Sequence, residues 1–501
     1  MASSVDVGSS EEIKDKDEDS DDDDDDGGEK RKTEWTAESL QRLLADAITY
    51  KSSLTDIKVI LRCGANVNGK VKKGLRPLHY AAFVDYVECV ELLIQKGAVV
   101  NVTDDIGYTP LHLCARRGFV NTLRVLIDNG AVLNFCDSDE ESHVDDSSKN
   151  LGYFTLEPLN MAIESSHVEC VRLMLEKGAK PNNKYFMGYE VNLVSLDNLE
   201  CLELLLKYGG DPNAFSRVGL TPLMKACTEG KYEAVDLLLT YGAEIHIASP
   251  ARFDHKTPIY YAVQGGNTEV IKTLLERGAS LAKIEDFKYA PLHMAVISDR
   301  KEVCELLLEW QAEVDVRSDD HGTPLMLTCA TPGLKNRKSI IEILLKYGAN
   351  ANAHSPFVSY TDPCLSPLTE YIKNNKYDIE YDIIHLLIRH GARVTFQGDM
   401  TVFRLKDPFG ILNYAMNVET EKETFMLLIE AASSYDLPDI NTADLLLASD
   451  KKLLKKMAGK PRELKHIVRL LLRDHFPSHL PEKVQELPLP KLIKSYLLFD
   501  V

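Results

Sequence analysis

A glycine–alanine pair, or a near variant of it, returns along this chain at Gly64, Gly97, Gly130, Gly178, Gly209, Gly242, Gly278, Gln311, Gly348 and Gly391. The successive gaps are 33, 33, 48, 31, 33, 36, 33, 37 and 43 residues. Four gaps are identical, and the longer ones are what loop insertions produce. A chain patterned this way does not wrap one central core. Each unit is a small supersecondary piece that cannot bury its apolar face alone and must stack on its neighbours.

Midway between most of these pairs sits a second phrase: RPLH at 76–79, TPLH at 109–112, EPLN at 157–160, TPLM at 221–224, TPIY at 257–260, APLH at 290–293, TPLM at 323–326 and SPLT at 366–369. Its parts have local reasons. A threonine such as Thr109 can cap a helix, and Pro110 suits the first turn, where no backbone donor is needed. Leu111, Cys114 and Ala115 then face inward, and a second helix carries the stripe Leu123, Leu126 and Ile127. Gly130 ends that helix, because a left-handed residue costs glycine little. These residues resemble the ankyrin repeat over roughly 36–435. The expected fold is all-α: a solenoid of ten or eleven helix pairs with β-hairpin loops. His79, His112 and His293 hold the repeat's own fourth position, so they are expected to make structural hydrogen bonds and not to act as catalysts. Residues 185–200 lack the Thr-Pro phrase, which predicts a short or distorted repeat. The stretch 408–415 only weakly echoes a first helix, as a terminal capping repeat does.

The chain carries a net charge of -19, and about half of it lies in the first 32 residues, around six consecutive aspartates at 21–26. Such a run repels itself and buries nothing, so 1–33 is expected to be a disordered acidic tail, either solubilising or docking to a basic partner. A second acidic stretch, 135–156, reads as a loop inserted within the array (34–435). Strong acidity is a poor match to phosphate backbones and argues against nucleic-acid binding. No apolar run is long enough to span a membrane and no secretory signal follows Met1, so the cytosol or nucleus is the expected compartment. The ten cysteines form no CxxC pair and no zinc-ligand cluster. Cys89, Cys170 and Cys201 recur at one helical position, as small buried apolar residues would. Neither a metal nor a cofactor is expected. No nucleophile, base or phosphate-loop pattern appears, and Gly27-Gly28, Gly209-Gly210 and Gly265-Gly266 lack phosphate-loop flanks.

The register is lost after Tyr435. Residues 436–460 read as a helical linker with Lys451, Lys452, Lys455 and Lys456. In 461–501, Leu464, Ile467, Val468, Leu471 and Leu472 share one helical face, opposite Glu463, Lys465, Arg469 and Arg473. Leu487, Pro488, Leu489 and Pro490 must run extended. A short amphipathic run at 491–499 follows. This segment resembles a SOCS box. The resemblance implies that Leu464, Ile467, Val468, Leu471 and Leu472 bind elongin C with its partner elongin B. It implies that Leu487, Pro488, Leu489 and Pro490 help select a cullin, cullin five with its RING subunit. Val468 stands where the family has a cysteine, keeping an apolar contact of different shape. A plain cap over the last repeat is the alternative reading of the helix.

Taken together, the two resemblances imply a non-catalytic substrate receptor of a cullin–RING ubiquitin ligase. A scaffold without a ligase role remains the alternative. The target is expected on the hairpins, where Phe186, Tyr189, Phe215, Arg217, Arg252, Phe253, Phe287, Tyr289, Phe357 and Tyr360 recur. Aromatic and arginine side chains are common interface anchors. The same rings could instead pack between adjacent hairpins.

Overall fold

A computed structural model describes residues 36–135, 157–182, 190–285, 287–319, 322–354, 365–376, 378–398, 407–418, 422–443, 446–476 and 479–500. The acidic tail, nearly all of the acidic insert, Phe186, Tyr189, Phe357 and Tyr360 lie outside these residues, as does the side chain of Phe253.

Eleven helix pairs follow one another among the described residues, from Ala37–Thr49 with Leu54–Arg62 to the 3-10 turn Leu412–Asn417 with Lys422–Ala431. First helices open on the expected proline, as in Pro110–Arg117 and Pro222–Glu229. Thr221 and Thr323 cap theirs, their hydroxyls accepting from the backbone N–H of Met224 and Met326 at 3.3 and 3.4 Å. The hairpins are closed by single backbone bonds, such as Asp104 N–H to Tyr108 O at 3.0 Å and Ser216 N–H to Leu220 O at 2.8 Å.

First helices pack on first helices of adjacent repeats, and second helices on second helices. The core is therefore a continuous ribbon through the array. Leu111, Cys114, Ala115, Leu123 and Leu126 are all buried within it, as their spacing requires. Burying each leucine contributes about 1.5–3 kcal/mol. Seven cysteines are buried in the same ribbon, and only Cys63 is exposed among the described residues. Burial pushes the Cys89 thiol up to about 12, and those of Cys170 and Cys201 up to about 11. Thiols held so far from ionisation are packing groups, not nucleophiles. In the repeat without a Thr-Pro phrase, the described residues show a first helix at Glu190–Leu193.

Two features at the C-terminal end depart from the plain repeat. A parallel strand pair, β1 (Val394–Phe396) and β2 (Ala432–Tyr435), links the last two repeats, with the Phe396 and Tyr435 rings stacked 5.5 Å apart. A small two-stranded sheet thus accompanies the helical array. The segment expected as a linker is helical, in Leu437–Thr442 and Ala448–Ala458, but it is packed and not free. Ile440, Leu446 and Leu454 are buried in the array's own core. A solenoid's final repeat has no successor to cover its apolar edge, and these helices supply the cover.

Candidate functional site

Three helices follow this cover: Leu464–His475, Leu480–Glu486 and Lys491–Leu498. Leu480, Val484, Leu497 and Leu498 form a miniature core, packed against Leu472, Phe476, Leu489 and Tyr496. The second helix stops at Leu487, whose backbone is extended because Pro488 follows. Pro488 and Pro490 are exposed, while Leu487 and Leu489 are half-buried. The extended proline stretch is as its composition demands.

The first helix packs with its polarity reversed. Its apolar residues face solvent: Leu464 is 76% exposed, Leu471 62%, and Ile467 and Val468 41% each. Its two buried residues are Arg469 and Arg473. The Arg469 guanidinium sits 3.5 Å from the Tyr496 ring centre and 3.8 Å from that of Phe499, a sandwich that suits a planar, weakly hydrated cation. Arg473 donates to the carbonyls of Ile388, at 3.0 Å, and Ala392. These carbonyls belong to the end of the array helix Tyr381–Arg389 and the turn after it, where a positive charge is favoured. Burial, and then the neighbouring Arg469 charge, pull the Arg473 pKa down from its ordinary value, while Asp474 opposes the shift. Leu472 is the exception on the apolar face, half-buried against the miniature core. Leu464, Ile467, Val468 and Leu471 thus form a contiguous apolar stripe left in water on a well-packed helix.

Comparison with known proteins bears on both parts of the molecule. An ankyrin-repeat family model matches residues 44–139, 192–284, 247–318 and 279–355, a single-repeat model matches 157–185, and a SOCS-box model matches 460–498. The chain belongs to the ankyrin-repeat family and ends in a SOCS box. Ankyrin repeat and SOCS box protein 16 of Homo sapiens is 24% identical over 325 residues, covering 56% of this chain and 68% of the relative. The Transient receptor potential cation channel subfamily A member 1 of Drosophila melanogaster is 23% identical over 253 residues, which are 47% of this chain but only 19% of the channel. Among solved structures, the ankyrin repeat domain of Bcl-3 is 23% identical and covers 46% of this chain and 97% of its own, with a TM-score of 0.38.

The ankyrin hairpins hold the remaining candidate residues. Phe287 is 5% exposed, its ring edge-on to Tyr260 at 5.2 Å and to Tyr289 at 5.9 Å. Its buried ring packs against the first helix of the preceding repeat, Pro258–Gly265, through Tyr260. Phe215 and Tyr289 are half-buried against the core, whereas Arg217 and Arg252 are exposed. Arg252 donates to the Arg217 carbonyl at 3.1 Å, tying the two hairpins together. Among the described residues no group of histidine, cysteine, aspartate and glutamate could hold a metal ion. A cavity lined by Leu365, Asp407, Asn413 and Tyr414 has room for about one water, at about 20 Å³.

The repeat histidines act as clamps. His79 Nδ1 accepts from the Arg76 N–H at 3.2 Å while Nε2 bonds the Tyr108 carbonyl of the next repeat at 3.0 Å. His293 does the same with Ala290 and Gly322. A second ladder escaped sequence reasoning. Asn68, Asn101, Asn134, Asn182, Asn213 and Asn352 each donate to the turn-glycine carbonyl of the following repeat. Each also accepts from a backbone N–H two residues beyond that glycine, as Val99 N–H does to Asn68 at 2.9 Å. The available signal was an asparagine four residues after the glycine.

Burial lowers the pKa of the His79 imidazole below its ordinary 6.5. The unfolded chain therefore binds a proton that the folded chain refuses. Stability is full above pH 6.5 and declines as pH falls through it. The expected result is a lower melting temperature at pH 5.5 than at pH 7.5, with a shallower dependence in His79→Met, which carries the residue found at Met224 and Met326 in sister repeats. An unchanged slope in that variant rejects the clamp as an acid-sensitive element.

Proposed function

We propose that this chain is a substrate-receptor subunit of a cullin–RING ubiquitin ligase. In this reading the ankyrin array holds a target protein and the SOCS box joins the array to elongin B, elongin C and a cullin with its RING subunit. A SOCS box and a relative named for the same two modules support an adaptor role in general. The observation that carries the finer reading is the outward stripe Leu464, Ile467, Val468 and Leu471, held on a helix that needs no rearrangement to offer it. Leu492 and Ile493, also exposed, extend the apolar surface that the box presents. Elongin C occupies the stripe. The exposed Pro488 and Pro490, with Leu487 and Leu489 at their base, choose the cullin.

The mechanism is proximity. The array and the box hold target and conjugating machinery at a high effective concentration, and this chain contributes no reacting group. Arg217 and Arg252, on adjacent hairpins, belong to the target-binding face, with Phe215 at its edge. Phe287 is dropped from that face because its ring is buried.

The full chain is expected to co-purify with elongins B and C and with cullin five and its RING subunit. Leu487→Ala with Pro488→Ala is expected to lose the cullin and keep the elongins. A parent chain that retains neither is a scaffold without a ligase role. Equal cullin retention by the double variant rejects the selecting role of the proline stretch.

A further inference from the structure

The buried arginines of the box helix do something that the docking role does not require. They fasten the SOCS box to the last complete helix pair of the array. Arg473 reaches the carbonyls of Ile388 and Ala392, groups 85 and 81 residues earlier in the chain. Phe499, against which Arg469 and Arg473 lie, belongs to the array's core cluster and not to the box's miniature one. The Phe499 carbonyl bonds His385 Nε2 at 2.9 Å. Two ion pairs flank the seam: Arg389 with Asp500 at 3.2 Å, and Arg393 with Asp474 at 2.8 Å. Such partly exposed pairs add little energy, but they give the contact a register. On the array side Gly391 leaves room for Leu480, and Gly348 leaves room for the His479 ring, where a Cβ would lie 2.1 Å from Nε2.

We propose that Arg473 is the positioning residue of a rigid seam that fixes the direction of the SOCS box relative to the ankyrin array, so that target and ligase arm meet at one set angle. The seam also explains why the apolar stripe faces outward. With the arginine face committed to the array, the opposite face of the helix, Leu472 apart, is left exposed among the described residues. A leucine or methionine could fill the volume of Arg473, but neither could cap two helix-end carbonyls, and those carbonyls determine the angle. The importance of that angle rests on the ligase reading above; the seam itself does not.

The test uses the full chain with spin labels on non-natural residues at the exposed positions of Lys272, in the array, and Lys491, in the box. The parent is expected to show one narrow distance distribution by pulsed electron paramagnetic resonance, unchanged on adding elongins B and C. Arg473→Met is expected to broaden it severalfold while elongin affinity stays within about threefold of the parent. The array-side pair Arg389→Ala with Arg393→Ala, which cannot disturb the box's own fold, is expected to broaden it partially. A broad distribution in the parent, or a narrow one in all variants, overturns the seam. Loss of elongin binding in Arg473→Met alone overturns it too, because Arg473 would then be supporting the box's own fold. If the parent binds no elongin while the widths behave as expected, the ligase reading fails and the seam stands.

Discussion

With Leu464→Asp and Leu471→Asp together, the full chain is expected to melt at the parent's temperature and to lose elongin B and C at least a hundredfold. Both side chains point into water in the free protein, so their removal takes nothing from the core. On docking, each leucine would bury apolar surface worth about 1.5–3 kcal/mol, or roughly 3–6 kcal/mol for the pair. At about 1.4 kcal/mol per tenfold, that corresponds to two to four orders of magnitude before the cost of desolvating two carboxylates is added. Differential scanning fluorimetry reads the first half of the expectation and isothermal titration calorimetry the second. Parent-like affinity would remove the stripe from the elongin contact, and a large drop in melting temperature would mean that the stripe serves the fold.

Gly265→Ala is expected to destabilise the array by about 3 kcal/mol, the upper end for overpacking a tight core. In an ordinary helix the change is favourable, since alanine propagates helix better than glycine by about 1 kcal/mol. Here an added Cβ would stand 2.6 Å from the Thr228 carbonyl oxygen and 2.9 Å from that of Cys227, backbone atoms of the preceding repeat's first helix. A side chain could rotate away from the intruding methyl, whereas a helix backbone can yield only by separating the two repeats. Gly97 is the control. Its φ is +86° but nothing lies within 4 Å of its Cβ direction, so Gly97→Ala costs only the left-handed backbone, about 1–2 kcal/mol. Gln311, at φ +61° in the equivalent turn, shows that this slot accepts a side chain. Urea midpoints, with amide exchange over 222–229, measure both variants. Equal destabilisation by the two would show that Gly265 serves only as a flexible residue.

The dipeptide Gly265-Gly266 shows how far the letters could be read. Its flanks exclude a phosphate loop, but nothing in them distinguishes a close-approach glycine from a turn glycine, and the structure uses one for each purpose. The aromatic residues of the hairpins were legible as a recurring class only. A ring is equally able to anchor a partner and to fill a gap, and Phe287 fills one. The helices at 437–458 were legible as helices. Their role as a cover was not, because it depends on the missing successor of the last repeat.

The sequence by itself determined the repeating unit, its helix pairs, the histidine clamps and the presence of the box helix. All of these depend on residues within one unit or the next, where proline, glycine and apolar spacing act directly on the backbone. Only the tertiary structure decided which face of the box helix is covered. Periodicity tells a helix that it has two faces, but contacts 81 to 114 residues apart choose between them. Arg473, which reaches two carbonyls at a helix end, and Arg469, which lies between two aromatic rings, take the inside, and the leucines are left exposed.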